Sequence, residues 1–142
     1  MLTRAHRQRF DMLMEEAIQS LPPQLHELIE QVPVIVLDRP TPPMLRSLGI
    51  DPADEDEVSG LCGLHSGAAL TERSVADHAD VPEEIHVFRE GIINLAGGFD
   101  APGRTPEEAD QAVYDEIMIT VLHEIGHHFG LSEEDLERLG YE

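Results

Sequence analysis

The sequence contains no lysine and a single cysteine, Cys62, in 142 residues. A lone thiol cannot close an internal disulfide. A disulfide-stapled fold is therefore excluded, and a reducing cytoplasm is the expected compartment. No apolar run approaches the ~18–20 residues of a membrane span. The opening Met-Leu-Thr-Arg-Ala-His-Arg-Gln-Arg has no apolar stretch behind its basic residues, so no secretory signal is expected. Positive charge is scarce: nine arginines stand against 29 acidic residues, for a net charge of −20. So acidic a surface repels nucleic acid and anionic lipid, and neither is expected as a partner. What is present is 41% hydrophobic. That suffices for one core, and residues 1–142 read as a single domain.

Phe10, Leu13, Met14, Ala17, Ile18 and Leu21 recur at three- and four-residue steps, which predicts an amphipathic helix over Arg4–Leu21. Pro22 and Pro23 stop it, and Pro23 can open a short second helix through Gln31. Val32–Leu37 is short, β-branched and continuously apolar, the pattern of a buried strand. Residues 38–59 are rich in proline and acid and predict a surface loop, with one helical turn at Met44–Leu48. Within it, Asp54–Glu57 reads as solvated loop; it lacks the spacing of a calcium-binding loop. Gly60–His65 predicts a second strand, and residues 66–82 are polar and poorly patterned.

Glu84–Arg89 alternates and predicts a third strand, with Ile85 and Val87 on one face and His86 and Phe88 on the other. An ordinary covered edge is the favoured expectation for it, with addition of a peptide as a strand the alternative. Gly91–Gly103 is glycine-rich, with Ile92, Ile93 and Leu95 expected in the core. Cys62 is expected as a small buried hydrophobe, and His65 and His86 as structural or surface residues.

Thr105-Pro-Glu-Glu108 is a capping box with proline at the first helical position. It predicts a helix from Pro106 to Phe129, ended by Gly130 as a left-handed cap. Residues 117–122 are apolar nearly all round, as in a buried helix. A last short helix is expected from Ser132, closed by Gly140.

At the end of the long helix stands His123-Glu124-Ile-Gly-His127-His128-Phe-Gly130-Leu-Ser-Glu133. Four residues apart, His123 and His127 lie about 40° from one another around the helix, one turn apart. Two imidazoles so placed can reach one zinc ion at ~2.0–2.1 Å. Glu124 is one step off that face, close enough to touch a metal-bound water without binding the metal itself. Two histidine ligands and a glutamate general base make the metalloprotease arrangement. If buried without partners, the three polar side chains would each cost about 1–3 kcal/mol, which a metal and its waters would relieve.

Gly130 can take a positive φ and turn the chain back under the metal, bringing Glu133 towards an open coordination position. A catalytic zinc takes three protein ligands and a water. The expected set is His123, His127 and Glu133, with one zinc per chain. The competing role for Glu133 is to sit in the first turn of a helix capped by Ser132, complementing its dipole. Glu134 and Asp135 are the fallback donors. His128 points about 140° from His123 and suits a supporting or surface position. Glu116, seven residues before His123, is placed to hold the free ring nitrogen of a ligand histidine or to stay solvated.

The run HEIGHHFGLSEEDLERLG resembles the signature of the small bacterial zincin-like metallopeptidases, or minimal zincins. The similarity continues through RFDMLMEEAIQSLP, VPVIVLDRPT, GLHSGAALTERS and EEIHVFRE, in the family's order. The family pattern is His-Glu-x-x-His-x-x-Gly-x-x-Asp, with the histidines and the final acid as metal ligands; here Glu133 replaces the aspartate. The resemblance implies a compact α+β fold. A small mixed sheet would pack against N-terminal helices and the buried motif helix, followed by a short C-terminal helix. Thermolysin-like enzymes fit less well, because only residues 128–142 follow His127. Metzincins need a third histidine where Glu133 stands.

The expected activity is zinc-dependent hydrolysis of a peptide or protein substrate. A zinc-polarised water attacks the scissile carbonyl while Glu124 moves its proton to the leaving amine. Tyr141 is a candidate oxyanion donor; Tyr114 lies on the opposite helix face. The alternative is a metal-binding protein or interaction module without hydrolytic activity.

Overall fold

Helix α1, Arg4–Gln19, opens on a capping box between Thr3 and His6 and buries Phe10, Met14 and Ala17. Helix α2, Pro23–Ile29, follows, with its proline in the first turn and Leu25 and Ile29 inward. The chain then forms strand β1, Val34–Leu37, and helices α3, Pro42–Ser47, and α4, Glu55–Gly60. Strand β2 is Gly63–Ser66, strand β3 Glu84–Phe88, and helix α5 Arg89–Leu95. Helix α6, Pro106–Phe129, is the longest element, and α7 is Glu133–Arg138. The computed structural model describes residues 2–66 and 84–138. The polar stretch from 67 to 82, Gly140 and Tyr141 lie outside the described residues.

The architecture is α+β, and the described residues form one three-stranded mixed sheet in the order β1-β3-β2. β1 runs parallel to β3, pairing Val34 with Ile85 and Leu37 with Phe88. β2 runs antiparallel to β3, pairing Gly63 with Val87 and His65 with Ile85. This order bears out a covered edge for the third strand and corrects one expectation. The third strand is the central one, so both its edges are already paired and it cannot accept an added peptide strand. β1 lies at one side of the sheet, and its four residues are half-buried rather than buried.

The hydrophobic core joins Phe10, Met14 and Ala17 of α1 to Val113, Ile117, Val121 and Ile125 of α6, together with Ile85 and Val87 of the central strand. Each large apolar side chain taken fully from water contributes about 1.5–3 kcal/mol. Helix α6 therefore anchors both layers. His86 alternates away from Ile85 and Val87, which places it on the sheet face opposite α6. It is buried there, with Nε2 3.3 Å from a Glu84 carboxylate oxygen.

The remaining differences have local causes. Asp54–Glu57 is not loop: the Asp54 carboxylate accepts from the Glu57 amide at 3.3 Å and caps α4, whose first turn is acidic throughout. Negative charge at a helix N-terminus favours that arrangement. Leu95, expected in the core, is 63% exposed because α5 ends there with Ile92 and Ile93 turned inward. Ile119 is also exposed, so α6 is not apolar-buried on every side.

Candidate metal centre

The N-terminus of α6 is fixed by its capping box. The Thr105 hydroxyl accepts from the Glu108 amide at 3.1 Å, and the Glu108 carboxylate accepts from the Thr105 amide at 2.9 Å. At the far end Gly130 takes φ 66° and ψ 32°, the left-handed cap expected there. The Leu131 amide then donates to the Gly126 carbonyl at 2.8 Å, and the chain turns back into α7.

On the last two turns of α6, His123 and His127 are both exposed. Their ring centroids lie 4.3 Å apart, with planes tilted by 46°. Glu124, the residue between, is buried and only 5% exposed. Burial pushes its carboxyl up to about 7, because a low-dielectric surround penalises the charged form. The expectation that all three polar side chains are buried is thus corrected. Val121, Leu122 and Ile125 hold one face of the helix in the core, while the histidine face meets solvent. His128 is buried rather than at the surface, and packs edge-on against the Phe129 ring at 4.5 Å.

Strand β2 forms a wall beside Glu124. A Cβ on Gly63 would lie 2.8 Å from Thr120 Cγ2 and 3.2 Å from Glu124 Cγ. Only a residue without a side chain lets the strand approach the helix this closely. Sequence reasoning missed Gly63 and Thr120; the available signal was a glycine inside a short strand pattern. Cys62, the neighbouring residue, is half-buried. Its thiol is pushed up first by burial and then by the charge of Glu116, while a hydrogen bond with Thr120 opposes. Glu116 therefore acts electrostatically on the thiol.

Glu133 is the first residue of α7 and exposed. With Ile119, Leu122, His123, Leu136 and Glu137 it lines a groove of about 320 Å³ between α6 and α7. The fallback donor Asp135 is engaged elsewhere. It accepts from the Ser132 amide at 2.9 Å, its own amide donates to the Ser132 hydroxyl at 3.2 Å, and Arg138 pairs with it at 2.6 Å. Ser132 thus caps α7 as expected.

Among the described residues, no three His, Cys, Asp or Glu side chains are grouped to hold a metal ion. The structure brings the two imidazoles together and sets Glu133 in the same groove as His123, short of a three-donor cluster. The imidazole pair suits a zinc-type cation, offering two nitrogen donors from one helix face open to solvent. Among the described residues no helix is long and apolar enough to cross a membrane.

No curated protein matches the chain. The family model described as zincin-like metallopeptidase matches residues 29–141, from the end of α2 through the motif and α7. The chain belongs to the zincin-like metallopeptidase family.

Proposed function

We propose that the protein is a zinc-dependent peptidase acting on a peptide or protein in the cytoplasm, with Glu124 as its general base and His123, His127 and Glu133 as metal ligands. The observation that carries this reading is one buried carboxyl, raised to about 7, next in the chain to the first of two adjacent solvent-facing imidazoles on the last two turns of α6. A zinc ion held by His123 and His127 would supply Lewis-acid polarisation of a carbonyl and a more acidic water. Glu124 takes the proton of the attacking water and delivers it to the departing amine, and a group that titrates near the working pH can do both. Gly63 lets β2 pack close against Thr120 and the Glu124 side chain at its Cγ. A net charge of −20 favours a cationic or neutral peptide over nucleic acid.

A second reading is a metal-binding protein or interaction module without turnover. It is favoured by the lack of a three-donor cluster among the described residues. Glu124→Gln separates the two. Under the peptidase reading the variant keeps its zinc by elemental analysis and loses cleavage of an unstructured peptide by about 10²–10⁴-fold. Unchanged cleavage refutes the role of Glu124. His127→Ala is expected to lose zinc, and undiminished zinc removes the proposed centre.

A further inference from the structure

We infer that the groove between α6 and α7 is a substrate pocket that selects a large apolar side chain next to a lysine or arginine, close to the bond being cut. This rests on the peptidase reading and names the substrate class for that same site. The groove begins at His123 and has room for one large side chain, at about 320 Å³. Its walls are apolar where α6 and α7 face each other, at Ile119, Leu122 and Leu136. Ile119 is 53% exposed although it is a large β-branched residue. It stands one helical turn before His123. An apolar side chain seated there removes Ile119 from water and gains the burial energy that the free protein forgoes.

The rim is negative. Glu133 and Glu137 are one turn apart on α7 and both border the groove. Among the described residues no arginine lines it, and Arg138 is paired with Asp135 at 2.6 Å. If Glu133 serves the metal, Glu137 remains for a substrate cation. A second copy of the chain is a poor occupant, because two bodies each carrying −20 repel one another. A short basic and apolar peptide matches both the walls and the rim.

Binding tests this apart from turnover. The probes are three labelled Ser/Gly peptides that differ only at two central residues: Phe-Arg, Phe-Glu or Ser-Ser. They are titrated into zinc-loaded Glu124→Gln protein by fluorescence anisotropy. Phe-Arg is expected to bind about tenfold more tightly than Ser-Ser, the discrimination one apolar group provides. Adding Ile119→Ser should abolish the Phe advantage, and since Ile119 is half-exposed the fold tolerates the change. Adding Glu137→Gln should weaken Phe-Arg by about threefold and leave Phe-Glu no weaker, the scale of one exposed charge pair. Equal affinity for the three peptides, or an unchanged profile in Ile119→Ser, overturns the assignment. Cut-site mapping with zinc-loaded wild-type protein on a mixed peptide pool then separates the two ideas. Cleavage without preference for a large apolar residue beside a basic one defeats the pocket and leaves the peptidase standing. Selective binding with no cleavage defeats the peptidase and leaves the pocket.

Discussion

The buried Glu124 carboxyl is held at a cost in stability. Its carboxyl rises from an ordinary 4.5 to about 7 on folding, through burial. Because the folded value lies above the unfolded one, folding favours the neutral form. The acid is harmless below its unfolded value and becomes a burden as pH climbs through the folded one. A rise of this size corresponds to about 3 kcal/mol at full ionisation. With metal chelated, Glu124→Gln is therefore expected to be more stable than the parent by about 2–3 kcal/mol near pH 8, with the gap closing near pH 5. Urea denaturation at both values checks this, and a constant gap contradicts it. Gly63 is the second residue-scale test. Gly63→Ala forces a methyl against Thr120 Cγ2 and should cost about 1–3 kcal/mol. Thr120→Ser removes that methyl and should return part of the loss in the double variant; no recovery would place the strain elsewhere.

Helix α6 was the most legible element in the sequence, and the reasons are local. Thr105, Pro106 and Glu108 mark its start and Gly130 its end, and each marker acts within a few residues of itself. The caps should be measurable. Thr105→Ala is expected to cost about 1 kcal/mol, the usual value for a lost N-cap. Gly130→Ala should cost about 1–2 kcal/mol, because alanine must then adopt a left-handed backbone. Thermal or urea melts check both, and an unshifted midpoint for Gly130→Ala would show that the cap relaxes freely. Other features were hidden because they depend on distant partners. Nothing in Glu84–Phe88 tells that both its neighbours are strands, so its central position was not readable. Helix α4 was missed because a six-residue helix rich in acid looks like a loop until the Asp54 cap is seen. In the candidate site, the spacing of His123 and His127 fixed their adjacency. Which of the motif side chains would be buried depended on packing against β2 and the core.

At the scale of the molecule, the scarce positive charge is placed with care. Asp38, just after β1, accepts from Arg7 of α1 at 2.8 Å and from Arg89 Nη1 of α5 at 3.1 Å, while Arg89 Nε and Nη2 donate to Asp11 at 2.9 and 3.1 Å. Arg39 reaches Glu55 at 2.6 Å and Glu90 at 2.5 Å. A planar fork bridging two carboxylates suits arginine and not lysine. These pairs are largely at the surface, where each contributes roughly 0–1 kcal/mol. Self-repulsion from a net −20 is the larger force. Salt should therefore stabilise the fold: the urea midpoint is expected to rise between ~0.01 M and ~1 M sodium chloride, as the screening length falls from ~30 to ~3 Å. A falling midpoint would mean that the arginine bridges outweigh the repulsion.

The outward-facing imidazole pair has a practical corollary. Two such rings on one helical turn form a natural chelating handle, so the untagged protein should be retained by an immobilised nickel resin and released by free imidazole. The His127→Ala chain, deprived of half the handle, should pass through earlier.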